Sequence, residues 1–237
     1  DNHEVSSLIK KAKKPLIIFG QSSLKTKSAK YIFESVKFFL EKNNKISDEW
    51  NSLNTISKNA ATVGSFDLGL YKTVDGSNEV LKNLENHMFE IVYLLGVDDL
   101  KFEKKNEYII YQGSHGDKGA EIADIILPGA AYTEQNGYFT NLEGKLQKAY
   151  KASFPPEEAK EDWLIINELA ELMNHRKLFN DKDELDSSLL NQINLFIEKD
   201  KSTKPSSVKN LEFKKEILKV ENEDYYYSNA IARASKT

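Results

Sequence analysis

Cysteine is absent from these 237 residues. No disulfide, catalytic thiol, cysteine-held zinc or thiolate-ligated iron–sulfur cluster can be built from them. The absence fits a reducing compartment. Histidine is scarce: the four present never fall at metal-ligand spacing from one another. An excess of positive charge is also missing, because 33 basic residues are offset by 37 acidic ones for a net charge of −4. Nucleic acid and anionic lipid therefore find no basic field to hold them. Nor does any apolar run approach the roughly 18–20 residues that span a bilayer, and the N-terminus lacks a signal-peptide pattern. The chain reads as soluble, with no direct membrane insertion and no internal repeat. It begins at Asp1 without an initiator methionine and stops after Lys236-Thr237, which leads us to expect a piece of a longer protein.

What is present is an ordinary globular balance, 40% hydrophobic and 30% charged, enough to bury one sizeable core. Residues 15–20 (PLIIFG) form a short continuous apolar run closed by glycine, the pattern of a strand buried on both faces of a parallel sheet. Gln21-Ser22-Ser23 then offers helix caps, and Ala29, Ile32, Phe33, Val36 and Phe39/Leu40 recur three and four apart. Strand, glycine turn and amphipathic helix together open a βαβ unit. The same strand type recurs at residues 89–95, 108–111 and 123–127. Four such runs predict a parallel, doubly wound sheet. Residues 51–75 have weak periodicity and read as an irregular excursion, with a short helix around 57–63.

Beyond Pro128 the pattern changes. Asn136-Gly137 signals a turn and Tyr138-Phe139-Thr140 is strand-like. Asn141-Leu142-Glu143-Gly144 makes a second turn, and residues 145–150 can return antiparallel, giving a β-hairpin. Pro155-Pro156 breaks the chain. A helix is predicted from near Glu157, with carboxylates in its first turns and a buried stripe of Trp163, Ile166, Leu169/Ala170 and Met173. Later come a helix over 186–197, a solvated linker over 199–210, a strand or short helix over 213–220, and Tyr225-Tyr226-Tyr227 as a docking strip. The fold class expected is α/β: a Rossmann-like parallel sheet flanked by helices in residues 1–175, with a β-hairpin excursion, then a helical and irregular tail in 176–237.

The densest stretch is "HGDKGAEIADIILPGAAYTEQNGYFTNLEGKLQ", His115 to Gln147. Four chemistries come into question for it and for the first strand's tip. Gly20-Gln21-Ser22-Ser23 could cradle a phosphate, but one glycine stands where a dinucleotide fingerprint has three, and a plain strand-to-helix turn is the simpler reading. His115-Gly116-Asp117 could supply a general base or a metal ligand, yet a loop histidine more often bonds local backbone. Asp117, Glu121, Asp124, Glu134 and Glu143 could pair for acid–base chemistry, though sequence cannot bring them together. No G-x-S-x-G elbow occurs, so a hydrolase nucleophile is missing. No catalytic, cofactor-binding or metal-ligating residue is assigned.

That stretch, with "PPEEAKEDW" after it, "KPLIIFG" and "NAATVGSFDLGL" before it and "IARASKT" at the end, resembles the family of large iron–sulfur (75-kDa-type) subunits of NADH:quinone oxidoreductase, respiratory complex I. Ala123–Pro128, Glu134, Gly137, Thr140-Asn141, Glu143-Gly144 and Gln147 further match the "ADIILP…E…G…TN.EG…Q" pattern that this family shares with molybdopterin-dependent oxidoreductases such as formate dehydrogenase. The resemblance implies a molybdopterin oxidoreductase-like fold, in the complex I branch without molybdenum or pterin. It also implies 4Fe-4S and 2Fe-2S clusters held by cysteines of an N-terminal part, so that no cofactor belongs to these residues. Its implied partners are other peripheral-arm subunits, at the cytoplasmic face of a bacterial inner membrane or the mitochondrial matrix side. Under this reading Gly113, Gly116, Gly119, Gly129, Gly137 and Gly144 serve chain geometry, and Thr140, Asn141 and Glu143 satisfy turn backbone. The alternative is a segment of a molybdopterin-dependent enzyme that binds the pterin near Gly20–Ser23 and His115–Asp117.

Overall fold

The structure is a computed structural model that describes residues 3–58, 62–70, 77–97, 102–200, 207–217, 226–227 and 229–235. In order the elements are α1 (Glu4–Lys11), β1 (Ile17–Gly20), a 3-10 turn (Gln21–Lys25), α2 (Ala29–Lys42), β2 (Leu53–Ile56), α3 (Thr62–Asp67), α4 (Ser77–Glu85) and β3 (Ile91–Leu95). They continue with β4 (Tyr108–Gly113), α5 (Lys118–Glu121), β5 (Ile125–Pro128), β6 (Gly137–Thr140), β7 (Leu146–Ala149), α6 (Asp162–Asn174), α7 (Lys182–Asp200) and α8 (Ala230–Ala234). Helices flank parallel strands, as the apolar runs predicted.

The parallel strands do not form one sheet among the described residues. β3, β4 and β5 pair in that order, with Leu94 opposite Tyr111 and Tyr111 opposite Ile126. β1 pairs instead with β2, Ile17 opposite Leu53 and Gly20 opposite Ile56. β2 lies inside the stretch predicted to be irregular, and the short helix falls at α3, later than predicted; residues 59–61 lie outside the described ones. The reason is chemical. Only Leu53 of β2 is buried, its other three residues being exposed, so the strand never displays an apolar run. What fixes it is polar: Ile17 N–H donates to Ser52 O at 2.8 Å, and the buried Ser52 hydroxyl donates to Lys45 O. α2 covers this pair, with Leu40 fully buried and Phe33 packed on Phe19 at 5.5 Å between ring centres.

The core sits on β4. Leu94, Ile109 and Tyr111 are buried together, with Val92, Phe102, Ala120, Ile122 and Ala123 packed around them. A central strand covered on both faces has to be apolar on both, which is why this run is continuous rather than alternating.

The hairpin forms as predicted, β6 and β7 running antiparallel with Thr140 opposite Leu146. Asn141 alone satisfies the turn: its side-chain oxygen accepts from the amides of Glu143 and Lys145 at 3.0 and 2.9 Å. Gly144, at φ +80°, takes the left-handed position that side chains resist. Thr140 turns elsewhere, donating its hydroxyl to Asp67 at 2.8 Å and so fastening α3 to the hairpin.

α6 begins at Asp162, not near Glu157. Glu157 sits at φ +47°, outside any right-handed helix, and residue Lys160 is recruited to the end of β5: Lys160 N–H donates to Pro128 O, and Lys160 O accepts from Ala130 N–H. Those backbone groups are spent before a helix can start. Its buried residues are Ile165, Asn167 and Ala170, whereas Met173, expected inside, is 71% exposed. α7 spans Lys182–Asp200, longer at both ends than predicted, and residues 213–217 form neither strand nor helix. The rest of the 213–220 expectation, like Tyr225, lies outside the described residues.

Candidate functional site

The glycine-dense corner is built around one aromatic ring. Tyr111, 2% exposed, leaves β4 toward the loop that follows and donates its hydroxyl to His115 O at 2.9 Å. A methyl group on Gly113 would lie 2.4 Å from that hydroxyl. One on Gly119 would lie 2.5 Å from Val97 O and 2.9 Å from the ring. These glycines are therefore required by close approach, not by backbone dihedrals, since neither adopts positive φ. Gly129 is crowded in the same way, by the Asp162 carboxylate at 2.6 Å, whereas Gly116 faces open space.

Behind the ring runs a buried polar chain that sequence reasoning missed. Gln112 is fully buried; its amide donates to Asp162 Oδ1 at 2.8 Å, and its carbonyl accepts from the Tyr93 hydroxyl. Gln135 donates to the other Asp162 oxygen at 3.1 Å and accepts from Asp162 N–H at 3.3 Å. One carboxylate at the start of α6 thus ties β3, β4 and the loop before the hairpin together. Burial pushes the Tyr93 hydroxyl up from its ordinary pKa, and the Asp162 charge adds to that. The only signal in the sequence was Glu161-Asp162-Trp163 itself, whose distance from Gln112 hid the contact.

The sequence-predicted carboxylates do not converge. Asp117 is bound by the Arg233 guanidinium of α8, which holds it well below the usual carboxylate range; the Lys118 amide adds to this and burial opposes it. Asp124 takes Lys104 Nζ at 2.6 Å and Ile109 N–H at 2.8 Å and is likewise held low, first by Lys104. Glu134 accepts from Ala131 N–H at 2.9 Å. Glu121 and Glu143 are exposed. His115 shares a 3.0 Å hydrogen bond with Ser114. A buried carboxylate no motif pointed to, Glu107, accepts from Lys105 N–H and His87, both at 2.7 Å, and is lowered mainly by the first. Among the described residues no three of His, Cys, Asp and Glu stand as a metal would need.

Two grooves lie at the carboxyl ends of the parallel strands, where sheets of this kind receive ligands. The smaller, about 230 Å³, is bounded by Gln21, Leu24, Lys25, Ile56 and Phe66 at the tips of β1 and β2. The larger, about 630 Å³, lies past β4 and β5 between Ser114, His115, Gly129, Glu134, Glu157 and Glu158. Three carboxylates make it a surface that repels anions.

A family model described as molybdopterin oxidoreductase matches residues 2–172. The NADH-ubiquinone oxidoreductase 75 kDa subunit of Reclinomonas americana is 34% identical over 249 aligned residues, covering 99% of this chain and 35% of that protein. An NADH-quinone oxidoreductase subunit of Rickettsia bellii (strain RML369-C) is 38% identical over 243 residues, covering 100% of this chain and 34% of that protein. The mitochondrial NADH-ubiquinone oxidoreductase 78 kDa subunit of Candida albicans is 38% identical over 180 residues, covering 75% and 24%. The chain spans about a third of the length of the first two relatives.

The group the family description names, a molybdopterin, carries an anionic phosphate that needs backbone amides or cations. The larger groove meets it with Glu134, Glu157 and Glu158. Among the described residues the smaller is lined by one cation, Lys25, in a volume below the roughly 300–1,000 Å³ of small-molecule pockets. The described lining residues of these two grooves do not fit the group.

Proposed function

The chain belongs to the molybdopterin oxidoreductase family, and from that premise we propose that it is a structural portion of the large iron–sulfur subunit of a proton-translocating NADH:quinone oxidoreductase. The observation that carries this reading is the alignment over nearly the whole chain to NADH-ubiquinone and NADH-quinone oxidoreductase subunits, at 34–38% identity. The site chemistry supports it. Carboxylates are engaged by backbone and side-chain amides and by lysine or arginine partners, and among the described residues the two grooves are lined by a single lysine where an anionic cofactor would use several cations. The segment braces the cluster-bearing part of the subunit and adjoins other peripheral-arm subunits, with no cofactor of its own. No described helix is long and apolar enough to cross a membrane. A peripheral position at the cytoplasmic or matrix side follows from the proposed identity.

Metal analysis and absorption spectroscopy of the purified chain test this. No stoichiometric iron, molybdenum or flavin is expected. Molybdenum with a fluorescent pterin at one per chain would replace the reading with that of a catalytic molybdopterin segment.

A further inference from the structure

Loop 114–117 runs from the end of β4 to the start of α5, where Glu121 N–H donates to Asp117 O at 3.0 Å, and two side-chain contacts hold it. On one side the Tyr111 hydroxyl donates to His115 O at 2.9 Å. On the other, Arg233 of α8 donates through Nε to Asp117 Oδ2, across 116 residues of sequence. Between them Gly116 has no neighbour within 4 Å of a would-be Cβ. The Arg233 side chain is itself steered, because Nη1 donates to Tyr227 O at 3.1 Å. Both partners of the ion pair are largely shielded, at 27% and 17% side-chain exposure. Ser114 and His115, on the same loop, form one wall of the larger groove.

We propose that α8 is a latch on the rim of that groove: Arg233 clasps Asp117, and the clasp fixes where Ser114 and His115 stand. Without the clasp the loop keeps the tyrosine hydroxyl at His115 and the backbone bond that starts α5, with Gly116 to pivot on between them. With both anchors closed, the wall is set. The end of the chain and the shape of the groove are coupled, so whatever displaces α8 reshapes the groove, and whatever fills the groove bears on α8.

Hydrogen exchange and histidine carbethoxylation, both read by mass spectrometry on the full chain, test this with Arg233→Gln, Asp117→Asn and the double variant. Amides of 114–118 are expected to exchange about fivefold faster in each single variant, the order of magnitude for one partly exposed charge pair. His115 should react correspondingly faster, while His87 and His175 keep their rates. The double variant should be no faster than the singles, since both remove one interaction. Unchanged loop exchange and His115 reactivity in the singles, or additive effects in the double, would overturn the latch. Should a variant unfold, speeding every histidine together, the wild-type chain in about 1 M salt serves instead. Selective acceleration at His115 supports the latch, and none sinks it.

Discussion

At the scale of single residues, the corner is an exercise in shape. Tyr111 occupies space that side chains at 113 and 119 would otherwise fill. Gly119→Ala forces a methyl group against the Val97 carbonyl and the ring, and is expected to cost about 2–3 kcal/mol by urea denaturation, the range for overpacking a core. Gly116→Ala, facing open space, should stay within about 0.5 kcal/mol. A pair of equal effects would mean that flexibility, not crowding, accounts for these glycines. The carboxylates give a pH prediction. Asp117, Asp124 and Glu107 all have folded values below their ordinary ones. A depressed acid contributes stability that is fully present above its unfolded value and is lost as pH falls through the folded one. The urea midpoint should therefore hold from neutrality to about pH 5 and decline below about pH 4. In Asp117→Asn the midpoint should be lower at neutral pH and the acid decline shallower; an unchanged acid limb would refute the Arg233 assignment. The sequence revealed that these glycines mattered but mislabelled how. Turn glycines and contact glycines read alike until the ring that crowds them is placed.

Secondary-structure elements were legible where one force dominated. The runs at β1, β3, β4 and β5 are read directly from their continuous apolarity, and the hairpin from its Asn and Gly turn residues. Elements set by polar contacts were not. β2 has one buried residue, and α6 begins where Lys160 has finished pairing with Pro128 and Ala130. The stripe on α6 was misread in part for the same reason, although Ala170 is buried as expected. Asn167 faces inward because its side chain holds the connection to α7, accepting from Leu178 and Phe179 N–H at 2.7 and 3.0 Å and donating to Phe179 O at 2.9 Å. Asn167→Ala is expected to cost about 2–3 kcal/mol, because buried amides lose their acceptor. Differential scanning calorimetry would check it, and a loss under about 0.5 kcal/mol would show that the connection holds itself. The same helix ends on His175 at φ +57°, its amide bonded to Glu171 O. His175→Gly should stabilise by about 1 kcal/mol, relieving a left-handed side chain, measurable as a higher denaturation midpoint.

Across the whole molecule, the tail returns to the domain at separated places. Ser28, buried, exchanges hydrogen bonds with Lys214 N–H and O at 2.7 and 2.9 Å, and Glu216 accepts from Lys27 N–H at 2.7 Å. Phe213 packs edge-on against Tyr31, and farther along Arg233 reaches Asp117. The helix α7 adds a third link through Asp186, where burial pushes the carboxyl up but Lys182 and Lys148, each at 2.9 Å, outweigh it and hold it low. Apart from Lys182 and Asp186, four apart on one helix, these partners were not visible in the sequence, because each pair joins residues far apart on the page. Deleting residues 213–237 should lower Tm by on the order of 5 °C, about what a loss of one to two kcal/mol produces in a domain of this size. An unchanged Tm would make the tail a passenger.

The 116-residue span between Asp117 and Arg233 also has a consequence in time. At about 5–20 residues per second, a ribosome needs on the order of ten seconds to bring the arginine out after the aspartate. Throughout that interval the nascent chain carries its glycine corner half-assembled, its counter-charge not yet released from the ribosome. A translational pause between the two codons would prolong that interval.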